Sequence, residues 1–207
     1  MIRFATETDR LEAFSDGVLA VIITIMVLEL KAPHAPTVTA LAASVPTFLA
    51  YVLSFVFVGI YWNNHHHMLR ASEGIDGAAM WANLHLLFWL SLVPFTTSWL
   101  GEHPTQAVPT AAYGFVLLMC GIAYTVLQRA LYRVNGADTA FARAIRVDLK
   151  GRLSLATYVC AIAVSFFLPP VADALYVLVA IMWLVPDRRF EPAIALRSRR
   201  DARPSTR

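Results

Sequence analysis

Cysteine is scarce in the 207 residues: only Cys120 and Cys160 occur, both inside apolar runs. That excludes a disulfide framework and a cysteine-based zinc site, and it predicts two buried free thiols. Charge is scarce too. Asp, Glu, Lys and Arg make up 15% of the chain against 58% hydrophobic residues, with a mean hydropathy of +0.58. This balance excludes a soluble domain, because stretches long enough to cross ~30 Å of hydrocarbon recur along the whole chain. No small-residue cleavage site follows the first apolar run, and Glu7 and Asp9 accompany Arg3 ahead of it. The first helix is therefore expected to stay rather than be removed as a signal peptide. A Thr-Val-Gly-Tyr-Gly loop is missing, which excludes a carbonyl-ring ion filter. No nucleophile–base pair stands at sensible spacing, so the chain is not expected to be an enzyme and needs no cofactor. Nor are there paired Gly/Pro-interrupted helices of the kind that surround a secondary transporter's site.

What is present begins with Arg10-Leu11-Glu12-Ala13-Phe14-Ser15-Asp16, which runs into an apolar segment closed by Glu29 and Lys31. From Phe14 to Leu28 the only charge is Asp16. A carboxylate inside a membrane helix costs ~2.5–3.5 kcal/mol on insertion scales, so it normally has a partner and a task. At 100° per residue from Arg10, Val21, Thr24, Ile25 and Leu28 fall at about 20°, −40°, 60° and 0°, forming one stripe roughly 10 Å long. Ser15 and Asp16 fall at about 140° and −120°. Two tasks separate on one helix: an apolar stripe with a single hydroxyl, and a polar pair aimed at neighbouring helices.

Six apolar segments follow one another, at about 9–30, 47–69, 78–100, 110–131, 153–168 and 171–185. The reading is an all-α membrane protein with six transmembrane helices per subunit, forming one domain over residues 1–186. Asp9-x-x-Glu12 reads as a capping box for the first helix, and Pro33 and Pro36 end it. Val38–Ala43 is expected to form an interfacial turn. Pro94 predicts a kink in the third helix. Ser91, Thr96, Thr97 and Ser98 beside it serve packing and backbone repair. Gly114 and Gly121 allow close helix approach in the fourth. Residues 132–152 read as a short amphipathic helix on the membrane surface, and Pro169-Pro170 forces a tight outer turn.

Of the 17 Lys and Arg, only Lys31 lies in a segment assigned to the outside. The positive-inside rule then places both termini in the cytoplasm. The basic tail, 187–207, is expected to be solvated and to meet lipid headgroups rather than nucleic acid. His65-His66-His67 does not make a metal site, because consecutive helical residues point 100° apart. One of these histidines is expected to hydrogen-bond Ser15 or Asp16. Glu29 either pairs with Lys31 or contributes to an outer ring of cation-attracting carboxylates.

Arg10-x-x-x-Phe14-Ser15-Asp16 opening the first membrane helix resembles the signature of the transmembrane protein 175 family, the lysosomal potassium channel and its bacterial relatives. Tyr61-Trp62-Asn63-Asn64-His65-His66, Trp81-x-Asn83 and Leu92-Val93-Pro94-Phe95-Thr96-Thr97 resemble later segments of that family, so the likeness covers about residues 10 to 185. The resemblance implies a potassium-permeable cation channel in the plasma membrane, a homotetramer whose first helices line the pore. It transfers the family's constriction positions to Val21, Ile25 and Leu28. Thr24 adds a ring of hydroxyl acceptors able to replace part of an ion's hydration shell. Apolar rings discriminate poorly between cations of equal charge, so the expected potassium preference is modest. Arg10, Phe14, Ser15 and Asp16 are expected to hold the first helix in place, with His66 and Asn83 as partners. The alternative is a proton- or sodium-coupled secondary transporter that uses Asp16.

Overall fold

A computed structural model describes residues 7–72, 74–136 and 148–184, and this part of the chain is all-helical. Eight helices follow in order: α1 (Glu7–Leu28), α2 (Val38–Ala43), α3 (Val45–Ala71), α4 (Gly77–Ser91), α5 (Val93–Glu102), α6 (Ala107–Asn135), α7 (Leu149–Ser165) and α8 (Pro169–Leu184). Local chemistry sets their ends. Thr37 Oγ1 accepts the amide of Ala40 at the start of α2, and Asp76 Oδ1 accepts that of Ala79 at the start of α4. Asp148 Oδ1 accepts that of Gly151 at the start of α7. Each cap satisfies a backbone donor that the first turn leaves without an intrahelical partner. Gly136, at φ 84°, ends α6 in a conformation that glycine reaches without strain.

The expected interfacial turn is the helix α2. The expected kink is a break, with α4 ending at Ser91 and α5 restarting at Val93. Pro94 has no amide hydrogen to donate one turn back. Thr97 Oγ1 donates to Val93 O at 2.7 Å, and Thr96 Oγ1 lies within hydrogen-bond reach of both Leu92 O and Val93 O. These hydroxyls engage the carbonyls beside the break. The capping box is not formed. Helix α1 is already helical at Glu7, so Asp9 lies inside it, and the Glu12 side chain turns instead to His66. The surface helix expected over 132–152 falls largely on residues 137–147, outside the described residues, as does the basic tail.

Among the described residues, four helical runs are long and apolar enough to cross a membrane: Glu7–Leu28, Val45–Ala71, Gly77–Glu102 and Ala107–Asn135. Helix α8 is a shorter apolar helix of 16 residues. Packing divides into two clusters. In the first, Leu19, Ile22 and Met26 of α1 meet Met68 of α3, Leu86 of α4 and Leu127 of α6. The second joins Phe57 of α3 to Tyr113 and Leu117 of α6, Tyr158 of α7 and Tyr176 of α8, and α1 contributes no residue to it. Tyr113 and Tyr176 meet edge to face with ring centroids 5.6 Å apart, a favoured aromatic geometry. Close approach needs Gly114, where a Cβ would sit 2.0 Å from Tyr176 Oη, and Gly121, where it would meet Leu155. Cys120 is buried as expected, but Cys160 is exposed, because α7 turns that position away from its neighbours.

Candidate functional site

Helix α1 has two faces of almost the same hydrophobicity and opposite fate. Leu19, Ile22 and Met26 are 2%, 3% and 2% exposed, packed inside the subunit. Val21, Ile25 and Leu28 are 56%, 43% and 74% exposed. Ala13, Phe14, Gly17, Ala20 and Thr24 share the open face. The candidate stripe is thus a continuous surface that no other part of the described chain covers. Thr24 Oγ1 donates to Ala20 O at 2.8 Å. Its one hydroxyl proton is used on its own helix, and its lone pairs remain available as acceptors along the stripe.

Behind the stripe, Glu12, Ser15 and Asp16 of α1 are tied to α3 and α4. Ser15 Oγ donates to Leu11 O at 2.8 Å and accepts from Asn83 Nδ2 at 2.9 Å. Asn83 Oδ1 lies 2.7 Å from His65 Nε2 and carries no proton, so His65 is the donor. Ser15 and Asn83 are fully buried and His65 nearly so. This chain joins three helices through one amide, which offers a donor to one neighbour and an acceptor to the other. A second chain lies nearer the surface. Trp62 Nε1 donates to Asp16 Oδ1 at 3.0 Å, His66 Nδ1 lies 2.5 Å from Glu12 Oε1, and the Trp62 and His66 rings stack.

Ser15 and Asn83 therefore meet as expected, whereas other partners differ. No histidine reaches Ser15 or Asp16 directly: His65 acts through Asn83, and His66 pairs with Glu12. Arg10 is exposed and makes no ion pair among the described residues, and Phe14 is 53% exposed. Sequence reasoning passed over Trp62 as the partner of Asp16. The signal available was its spacing, one turn before His66. At the other end, Lys31 pairs with Glu102 across 3.5 Å rather than with Glu29. Glu29 accepts from Ser98 at 3.3 Å instead, since α5 places its polar side chains against that end of α1. The three adjacent histidines diverge, as the helical period requires. Among the described residues, no group of three or more His, Cys, Asp or Glu side chains could hold a metal ion.

This arrangement has close relatives. The family profile described as endosomal/lysosomal potassium channel TMEM175 matches residues 10–94, which hold the open stripe and both polar chains. A potassium channel of a Chryseobacterium strain is 50% identical over 185 residues, covering 89% of this chain and 96% of that protein. A potassium channel of Streptomyces collinus is 33% identical over 190 residues, covering 86% and 91%. The crystal structure of a lysosomal potassium-selective channel TMEM175 homolog from Chamaesiphon minutus matches with a TM-score of 0.75 at 31% identity, covering 86% of this chain and 97% of that one. Likeness over nearly the full length of these proteins, with the same fold, means that the chain belongs to the TMEM175 family.

Proposed function

We propose that this protein is a potassium-permeable cation channel, a homotetramer in which the first helix of each subunit lines the pore. The observation that carries this reading is the open face of α1, where Val21, Ile25 and Leu28 stand exposed although the opposite face is buried. Cyclic symmetry turns one such patch into a closed lining, because each copy presents it to the same axis. Relatives named as potassium channels support the choice of ion.

In this channel, rings of Val21, Ile25 and Leu28 form apolar constrictions that regulate passage by partial dewetting. Thr24 Oγ1, with its proton committed to Ala20 O, offers acceptor oxygens to a partly dehydrated cation. Those oxygens suit potassium better than sodium because a larger ion gives up hydration water more readily. One hydroxyl ring among apolar rings yields a modest preference. Ser15, Asp16, Asn83 and His65 hold α1 at a fixed rotation, so that the stripe, rather than Leu19 and Ile22, meets the axis. The placement of Lys and Arg puts both termini in the cytoplasm and calls for an even number of crossings; the six apolar segments meet it, with α7 and α8 as the last pair, in the plasma membrane that the family likeness implies.

Purified protein in liposomes tests this reading through the flux of potassium, sodium and an organic cation. Potassium flux exceeding sodium flux several-fold, with the organic cation excluded, is the expected result. Flux that saturates and requires the gradient of a coupling ion would overturn it and make Asp16 the site of a carrier.

A further inference from the structure

A groove of about 500 Å³ lies between α3 and α8, on the second packing cluster and away from the α1 stripe. Twelve of its thirteen lining residues are apolar, among them Leu49, Leu53, Val56, Val177 and Ile181, and the thirteenth is Asp173. Asp173 Oδ1 is buried and has no hydrogen-bond partner. The nearby phenols are engaged elsewhere: Tyr176 Oη donates to Thr110 O at 3.1 Å, and Tyr113 Oη lies 3.0 Å from Ser54 Oγ. A carboxylate in an apolar, membrane-embedded wall is costly unless a cation or a hydrogen-bond donor meets it.

The geometry limits what that partner is. Hard metal cations take several oxygen ligands, and this groove offers one carboxylate. An organic cation with an alkyl tail fits both ends. Asp173 stands one turn into α8, and the helix continues ~16 Å to Leu184 along the groove. The Asp173 carboxylate, partly exposed in the groove wall, calls for an N–H donor, which a primary ammonium has and a quaternary ammonium lacks. We propose that the groove between α3 and α8 seats a phospholipid with a primary ammonium headgroup, hydrogen-bonded to Asp173 and with one acyl chain along the apolar wall.

Native mass spectrometry of the delipidated full-length protein, titrated separately with phosphatidylethanolamine, phosphatidylcholine and phosphatidylglycerol, tests this. Phosphatidylethanolamine is expected to bind roughly tenfold more tightly than phosphatidylcholine, the worth of about one charge-assisted hydrogen bond. Asp173→Asn should abolish that preference, and Ile181→Trp, which fills the groove, should weaken binding of both lipids. Equal binding of the three lipids by the unaltered protein would overturn the proposal, independently of any variant's folding. So would an ethanolamine preference that survives Asp173→Asn, or disulfide cross-linking of Ile181→Cys between subunits, which would place a second copy in the groove.

Discussion

Asn83 joins α4 to α1 and α3 through one side chain, and Asn83→Ala is the sharpest test of the network behind the stripe. The substitution removes the bond to Ser15 at 2.9 Å and the one to His65 at 2.7 Å. Ser15 keeps its bond to Leu11 O. His65 does worse: its Nδ1 has no partner already, so the loss of Nε2 leaves a buried imidazole with none. A stranded buried polar group costs ~1–3 kcal/mol, and an interhelical hydrogen bond in a membrane is worth ~0.6 kcal/mol on average and ~1.7 at most. A loss of about 2–4 kcal/mol is expected. Reversible unfolding in mixed detergent micelles measures it, with size-exclusion chromatography reporting assembly. Ser15→Ala acts on the same contact, so the double variant should show a coupling of ~0.6–1.7 kcal/mol. Strict additivity, or a loss below ~0.5 kcal/mol for Asn83→Ala, would refute the network. The surviving channels should keep the ion preference of the unaltered protein, because Asn83 lies behind the stripe rather than on it.

Other positions separate the two faces of α1 further. Thr24→Val keeps the shape but removes the acceptor; single-channel recording should show a lower potassium-to-sodium permeability ratio at normal protein yield. Asp16→Asn keeps an oxygen for Trp62 Nε1 but loses the charge, so tetramer yield is expected to fall while selectivity holds; the reverse would contradict a structural role. Gly114→Ala places a Cβ against Tyr176 Oη and is expected to cost ~1–3 kcal/mol, the range for overpacking, read by the same unfolding assay. At Gly17, a Cβ meets nothing within 4 Å inside the subunit. Gly17→Ala should therefore leave subunit folding intact, and any change in conductance or assembly reports on a neighbouring subunit.

The helices were legible because apolar length, prolines and caps are local properties. The break before Val93 follows from Pro94, and α2 from the polar-apolar change after Pro36. Faces were harder. Val21 and Ile22 are adjacent apolar residues, yet one is open and the other buried. Lipid is as apolar as a protein core, so hydrophobic periodicity does not tell an inner face from an outer one in a membrane helix. The stripe was found by its likeness to a family and by its single hydroxyl. Partners across helices were legible only in part. Ser15 and Asn83 meet as expected, but the pairs Asp16–Trp62, Glu12–His66 and Lys31–Glu102 depend on the rotation and height of whole helices. No single helix carries that information.

Cysteine scanning along α1 in reconstituted channels tests the pore assignment most directly, after Cys120 and Cys160 are replaced. A membrane-impermeant thiol reagent should reduce single-channel conductance in Thr24→Cys, Ile25→Cys and Leu28→Cys, and potassium should slow its attachment. Ile22→Cys and Met26→Cys, on the buried face, should conduct normally. Full attachment at Leu28→Cys, established by mass, with unchanged conductance would contradict a pore lined by the first helix.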